Sequence, residues 1–115
     1  MKKTVTVLVC ICSLAVLQNC GSSKKAANKK MALSFEKDVM PIMQASCTPC
    51  HFPPEGRKKP LNNYDAVKAN IDEIIMRVKL PHEDNKFMPW KSKKPPLSDT
   101  AVNVLVEWQK QNMPQ

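Results

Sequence analysis

Only two glycines occur among 115 residues, against ten prolines. Turns in this chain are set by proline's fixed φ rather than by glycine's freedom, so its connections should be rigid. No Asn-Gly or Asp-Gly pair is present, and no alternating apolar run is long enough for a strand, which argues against a hairpin-built β fold. Histidine is just as scarce, with His51 and His82 the only two. Of five cysteines, Cys10, Cys12 and Cys20 lie in or beside an N-terminal apolar run, leaving Cys47 and Cys50 for a folded domain. That count excludes a disulfide framework. The apolar run itself, residues 5–17 (VTVLVCICSLAVL), falls short of the roughly 20 residues that cross a bilayer.

Preceded by Lys2 and Lys3, this run has the proportions of the hydrophobic region of a secretory signal peptide. A buried core helix would carry periodic polar positions, which it lacks. The chain continues LQNCGSSKK, which resembles a bacterial lipoprotein signal, with Leu17 three positions before Cys20 and Gly21 after it. The resemblance implies that Cys20 is acylated and becomes the mature N-terminus. Asn19 departs from the pattern, where Gly, Ala or Ser is usual, so ordinary cleavage with an incidental Cys20 stays open. The expected division is a signal peptide over residues 1–19, a lipid anchor and flexible tether over 20–33, and a folded domain over 34–115. Lysines in the tether suit an anionic membrane surface, and they suit a plain solvated linker equally. The net charge of +8 survives processing, falling to +6 if Lys2 and Lys3 leave with the signal.

A domain of about eighty residues struggles to build a sufficient core alone and usually needs a staple or a cofactor. Its periodicity is helical. Phe35, Val39, Ile42 and Met43 share one face of a helix that leads into the cysteine pair, and Pro41 predicts a kink or a restart within it. Tyr64, Val67, Ile71, Ile74, Ile75 and Val78 form a second stripe, with Asn63 as its cap and Pro81 beyond its end. Ser98 caps a third helix bearing Ala101, Val102, Leu105 and Trp108 on one face, with Gln109 near it. Between these helices lie two proline-rich loops, HFPPEGRKKPLNN and LPHEDNKFMPWKSKKPPLS. The expected fold class is all-α.

Residues 47–51, CTPCH, admit three chemistries. A thioredoxin-like dithiol belongs beside a βαβ pattern, which is missing. Zinc needs four ligands; Cys47, Cys50, His51 and His82 are the only set, and adjacent Cys50 and His51 are awkwardly placed to chelate one ion. Covalent haem attachment needs only what is present: two thiols three residues apart for the two vinyl groups, and an adjacent imidazole for the iron. Export fits that chemistry as well.

The region from Ser34 to Met113 resembles the small class I c-type cytochromes: a helix running into CTPCH, a loop with GRKKPL, a middle helix, a KFMPW loop and a C-terminal helix with an aromatic residue. The resemblance implies an all-helical, cytochrome c-like shell of three to four helices around one haem c, attached through Cys47 and Cys50. It implies His51 as the proximal iron ligand and Met88 as the distal one, with the carbonyl of Pro60 fixing the His51 ring. His82, six residues before Met88, is the competing distal ligand. Met40, Met43 and Met76 are expected to pack. Phe35 and Trp108 are expected to meet where the first and last helices cross, and Trp90 lies either beside the haem edge or exposed on its loop. Arg57, Lys58, Lys59, Lys91, Lys93 and Lys94 flank the two loops, where they could neutralise propionates and steer acidic redox partners.

The function these features predict is one-electron transfer by a membrane-anchored carrier, not an enzyme, facing the periplasm of a Gram-negative bacterium. Acidic proteins and the membrane are the expected partners, and nucleic acid is not. A haem-bearing subunit of a larger redox complex is the alternative. A haem sensor or small peroxidase-like enzyme would need an open distal position. If Cys20 carries lipid, Cys20→Ser shifts the protein from the membrane fraction to a soluble exported pool. A wild type that is already soluble, with its mature N-terminus elsewhere, means ordinary cleavage.

Overall fold

A computed structural model describes residues 31–115. The expected signal segment, Cys20 and nearly all of the tether lie outside the described residues. Three α-helices carry the described part: α1 (Met40–Cys47), α2 (Tyr64–Val78) and α3 (Asp99–Lys110). A π-helical turn, Phe35–Val39, leads directly into α1, and a short 3-10 turn spans Trp90–Ser92. No strand occurs among the described residues, as the periodicity predicted. None of these helices is long and apolar enough to cross a membrane.

Pro41 explains the π turn. Its ring crowds the carbonyl four residues back, and it has no N–H to give that carbonyl. The chain widens instead, with the N–H of Met40 reaching the carbonyl of Phe35. Beyond that turn Pro41 sits at the start of α1, where a missing N–H costs nothing. The kink and the restart predicted from Pro41 are therefore one event.

Both remaining helices begin on the caps their sequences suggest. The Asn63 side chain accepts from the N–H of Ala66 at 2.9 Å, and Ser98 Oγ accepts from the N–H of Ala101 at 3.2 Å. In α2 the stripe Val67, Ile71 and Ile74 is buried. Met76 is not part of it and stands 47% exposed, contrary to the packing role expected. It lies two positions past Ile74, on the opposite side of a 3.6-residue helix. Met43 is fully buried and Met40 packs against the core, as expected.

The first and last helical segments meet through aromatic rings. Phe35 and Trp108, both fully buried, have ring centroids 5.8 Å apart, and Tyr64 of α2 stands edge-on to each at 5.5 and 6.2 Å. After α3 the chain reverses through Asn112 and Met113, whose φ values of 61° and 55° lie in the left-handed region. The reversal brings the Pro114 carbonyl under two donors, Trp108 Nε1–H at 2.7 Å and the Phe35 N–H at 3.1 Å. The Tyr64 hydroxyl donates to the Met113 carbonyl at 2.9 Å.

The packing includes residues before 34. Leu33, assigned to the tether from its sequence, is only 8% exposed, and its N–H donates to Gln111 Oε1 at 3.0 Å. One apolar residue in a polar stretch has no periodicity to reveal it. Truncating the fully buried Trp108 to Ala is expected to lower unfolding free energy by about 3–5 kcal/mol. Asn63→Ala, which removes only a cap, should cost about 1 kcal/mol. Urea unfolding followed by circular dichroism measures both, and similar values would contradict the central place given to the ring cluster.

Candidate functional site

The CTPCH segment is built on the end of α1. Cys47 is the last helical residue, and Thr48 leaves the helix with extended backbone. The chain then folds back, with the His51 N–H donating to the Cys47 carbonyl at 3.0 Å and the Phe52 N–H to the Pro49 carbonyl at 3.0 Å. Gly56 closes this turn from behind, its N–H donating to the Phe52 carbonyl at 2.9 Å. A Cβ at Gly56 would collide with the backbone carbonyls of Pro49 and Cys50, so the position admits only glycine. One of the chain's two glycines is thus spent on seating the cysteine turn.

The His51 ring is fixed by its neighbours. Nδ1 lies 2.7 Å from the Lys59 carbonyl, and the Leu61 N–H donates to the His51 carbonyl at 2.9 Å. A carbonyl can only accept, so Nδ1 carries a proton, and in the neutral ring Nε2 is then the lone-pair nitrogen, the form that binds metal. The expected carbonyl was that of Pro60, and the structure supplies the one before it. Lys59 is also the residue whose ammonium bonds Asn70 and Glu73 of α2, which pins its part of the loop beside the site.

His51 opens onto a cavity of about 510 Å³, within the roughly 300–1,000 Å³ range of small-molecule and cofactor sites. Cys47 and Cys50 line it on the α1 side, Leu61, Ile74 and Val78 form apolar wall, and Met88 and Trp90 close it from the second proline-rich loop. His82 is not among its walls; the ring is exposed and stacks on buried Phe87 at 4.6 Å. Of the two distal candidates, only Met88 borders the cavity. Trp90 lines the cavity and is 44% exposed, with Lys91 and Lys93 ammonium groups 4.6 and 5.6 Å from its ring centroid.

Electrostatics separate the three chemistries of the motif. Burial pushes the Cys47 thiol up to about 11, against a smaller opposing pull from Lys94. Reactive dithiols need a depressed thiol pKa, commonly at a helix N-terminus. Cys47 occupies a helix C-terminus, where the helix dipole disfavours a thiolate. No group of three or more His, Cys, Asp or Glu side chains positioned for a metal ion occurs among the described residues. Lys94 itself ties the second loop to the end of α1, donating to the Ala45 carbonyl at 2.7 Å and to Thr48 Oγ1 at 2.8 Å.

Several wall residues escaped the sequence reading. Asn70, Glu73 and Arg77 follow helical spacing one step round from the apolar stripe of α2, a pattern that reads as solvated surface. Only the placement of the loops turns that face into cavity wall. With its thiols free, the chain should alkylate at Cys50, which is exposed, well before Cys47. Cys47 should stay slow until pH approaches about 11, the value to which burial raises it. Mass mapping after brief iodoacetamide treatment at neutral and alkaline pH tests this, and fast labelling of Cys47 at neutral pH contradicts it.

No protein-family model matches the chain, and neither a curated protein nor a solved structure matches it, so what the chain does has to follow from the residues around this cavity.

Proposed function

We propose that the chain is a c-type cytochrome: a tethered, single-haem carrier that passes one electron at a time between exported redox partners. The observation that carries this reading is the convergence of Cys47, Cys50, His51 and Met88 on one largely apolar-walled cavity. Cys47 and Cys50 would hold haem c by adding their S–H bonds across its two vinyl groups, which needs no external oxidant. Burial of a protonated thiol is compatible with that role, since the product is a neutral thioether. His51 would bind iron through Nε2, with the Lys59 carbonyl fixing ring and tautomer. Met88 would fill the sixth position and close the iron to exogenous ligands.

The bound group supplies reversible exchange between ferrous and ferric iron, and a thioether opposite histidine raises its potential relative to two imidazoles. The protein's own contribution is to hold both ligands still and to set the surrounding charge. Lys58, Lys59, Arg77, Lys93 and Lys94 all line the cavity. They suit the carboxylates of a haem edge, and at its mouth they favour approach of an acidic partner. Trp90, half exposed between two lysines, offers a flat contact at that mouth. Lipid at Cys20 would confine the carrier to a membrane surface.

Protein from cells competent in cytochrome maturation should keep its haem on a denaturing gel, with its mass raised by one haem. Apo-protein from such cells sinks the proposal. Met88→Ala should abolish the near-infrared sulfur-to-ferric charge-transfer band, lower the potential and let carbon monoxide bind the reduced protein rapidly. His82→Ala should do none of these. The reverse outcome means bis-histidine ligation, and rapid carbon monoxide binding by the wild type would favour a sensor or enzyme.

A further inference from the structure

Among the described residues lining the cavity there is one carboxylate, Glu73, set among five lysine and arginine side chains and His51. Its two oxygens reach different parts of the protein. Oε2 accepts from Lys59 Nζ at 3.0 Å, and Lys59 is the residue whose carbonyl holds the His51 ring at 2.7 Å. Oε1 accepts from Arg77 Nε at 2.9 Å and pairs with Arg77 Nη2 at 2.8 Å. Arg77 in turn carries the second loop: its carbonyl accepts the Met88 N–H at 3.3 Å, and its Nη1 reaches the Lys86 carbonyl at 3.5 Å.

We infer that Glu73 is a positioning residue that braces the His51 loop and the Met88 loop against α2, so that the two sides of the cavity keep a fixed separation. An i,i+4 Glu–Arg pair alone would stabilise the helix only weakly. The difference here is the third partner, which arrives from another loop and is itself anchored twice on α2, to Glu73 and to Asn70 Oδ1 at 3.0 Å. Asn70 is fixed in its turn by donating to the Ala66 carbonyl at 2.7 Å. Hydrogen bonds from Lys59 and Arg77 hold the Glu73 carboxyl below the usual carboxylate range, so it stays ionised while it bridges them. Removing the carboxylate leaves two like charges facing each other across the gap it spanned.

The brace itself is a property of the fold, and its effect on iron ligation rests on the proposed function, so two readouts keep them apart. Hydrogen exchange on the purified protein follows the Leu61 N–H, bonded to His51, and the Met88 N–H, bonded to Arg77. In Glu73→Gln both should exchange roughly fivefold faster than in Asn63→Ala, which weakens the fold without touching the brace. Lys59→Met should have the same effect, and combining it with Glu73→Gln should add little, as members of one network do. On the haem-loaded protein, Glu73→Gln should keep its covalent haem, lose intensity in the sulfur-to-ferric band and bind carbon monoxide roughly fivefold faster. Exchange no faster than in Asn63→Ala, or fully additive effects of the two substitutions, overturns the brace whether or not haem is present. A wild type without covalent haem overturns the proposed function and the ligation effect, while the exchange result still decides the brace.

Discussion

A single carbonyl oxygen, that of Pro114, accepts hydrogen bonds from the Trp108 indole and from the backbone of Phe35. Several of the long-range relations in the fold meet here. It seats the ring cluster of Phe35, Tyr64 and Trp108, which joins the segment before α1, the start of α2 and the end of α3. A buried indole N–H without a partner costs about 1–3 kcal/mol, so the site rewards one chain path strongly over others. Asn112 and Met113 adopt left-handed backbone to deliver that carbonyl, at a cost of order 1–2 kcal/mol each for an L-residue. The packing of three large rings is what offsets it.

With that corner fixed, α1 points its C-terminal end, and hence Cys47, at the cavity. The polarity of this arrangement is informative. A thiol at a helix C-terminus, held neutral by burial, is a poor nucleophile and a poor metal ligand, the opposite of what a reactive dithiol needs. His51 is prepared in the opposite sense, with one nitrogen committed to a backbone carbonyl and the other free for a ligand. The same five residues thus hold one side chain quiet and present the next. The basic wall around them is tempered by a single carboxylate, Glu73, whose bridging position gives it more leverage than its charge alone.

The helices were legible from apolar spacing and from two side-chain caps, because both signals are local. Asn63 and Ser98 act where their sequence context puts them. Pro41 announced a disturbance whose form, a π turn, depends on backbone geometry that spacing does not encode. Phe35 meeting Trp108 followed from helical order together with the family resemblance. The spacing itself puts Met76 two positions past Ile74 and outside the stripe, against the packing role expected of it, whereas Leu33 had no periodicity to reveal its burial. At the site, Cys47, Cys50 and His51 were singled out by their chemistry and Met88 by the family resemblance, and all four border one cavity. Lys59 in place of Pro60 turned on which way one carbonyl faces. Glu73 and Arg77 owe their roles to loops arriving from elsewhere, and such placement leaves no trace in nearby residues; Gly56 owes its own to the close approach of the Pro49 and Cys50 carbonyls within one turn.

The Leu33 amide and the Gln111 side chain that receives it are 78 residues apart, with Pro114 further along still. The corner that seats α1 therefore cannot close until the far end of the chain has arrived. During that interval the cysteine turn exists as a short helix end without the walls that later shield Cys47, while Cys50 stays exposed throughout. Long loop closures of this kind come late in folding, because their entropy is lost before any contact repays it. A chain emerging in sequence order would keep Cys47 accessible for most of its emergence and enclose it last.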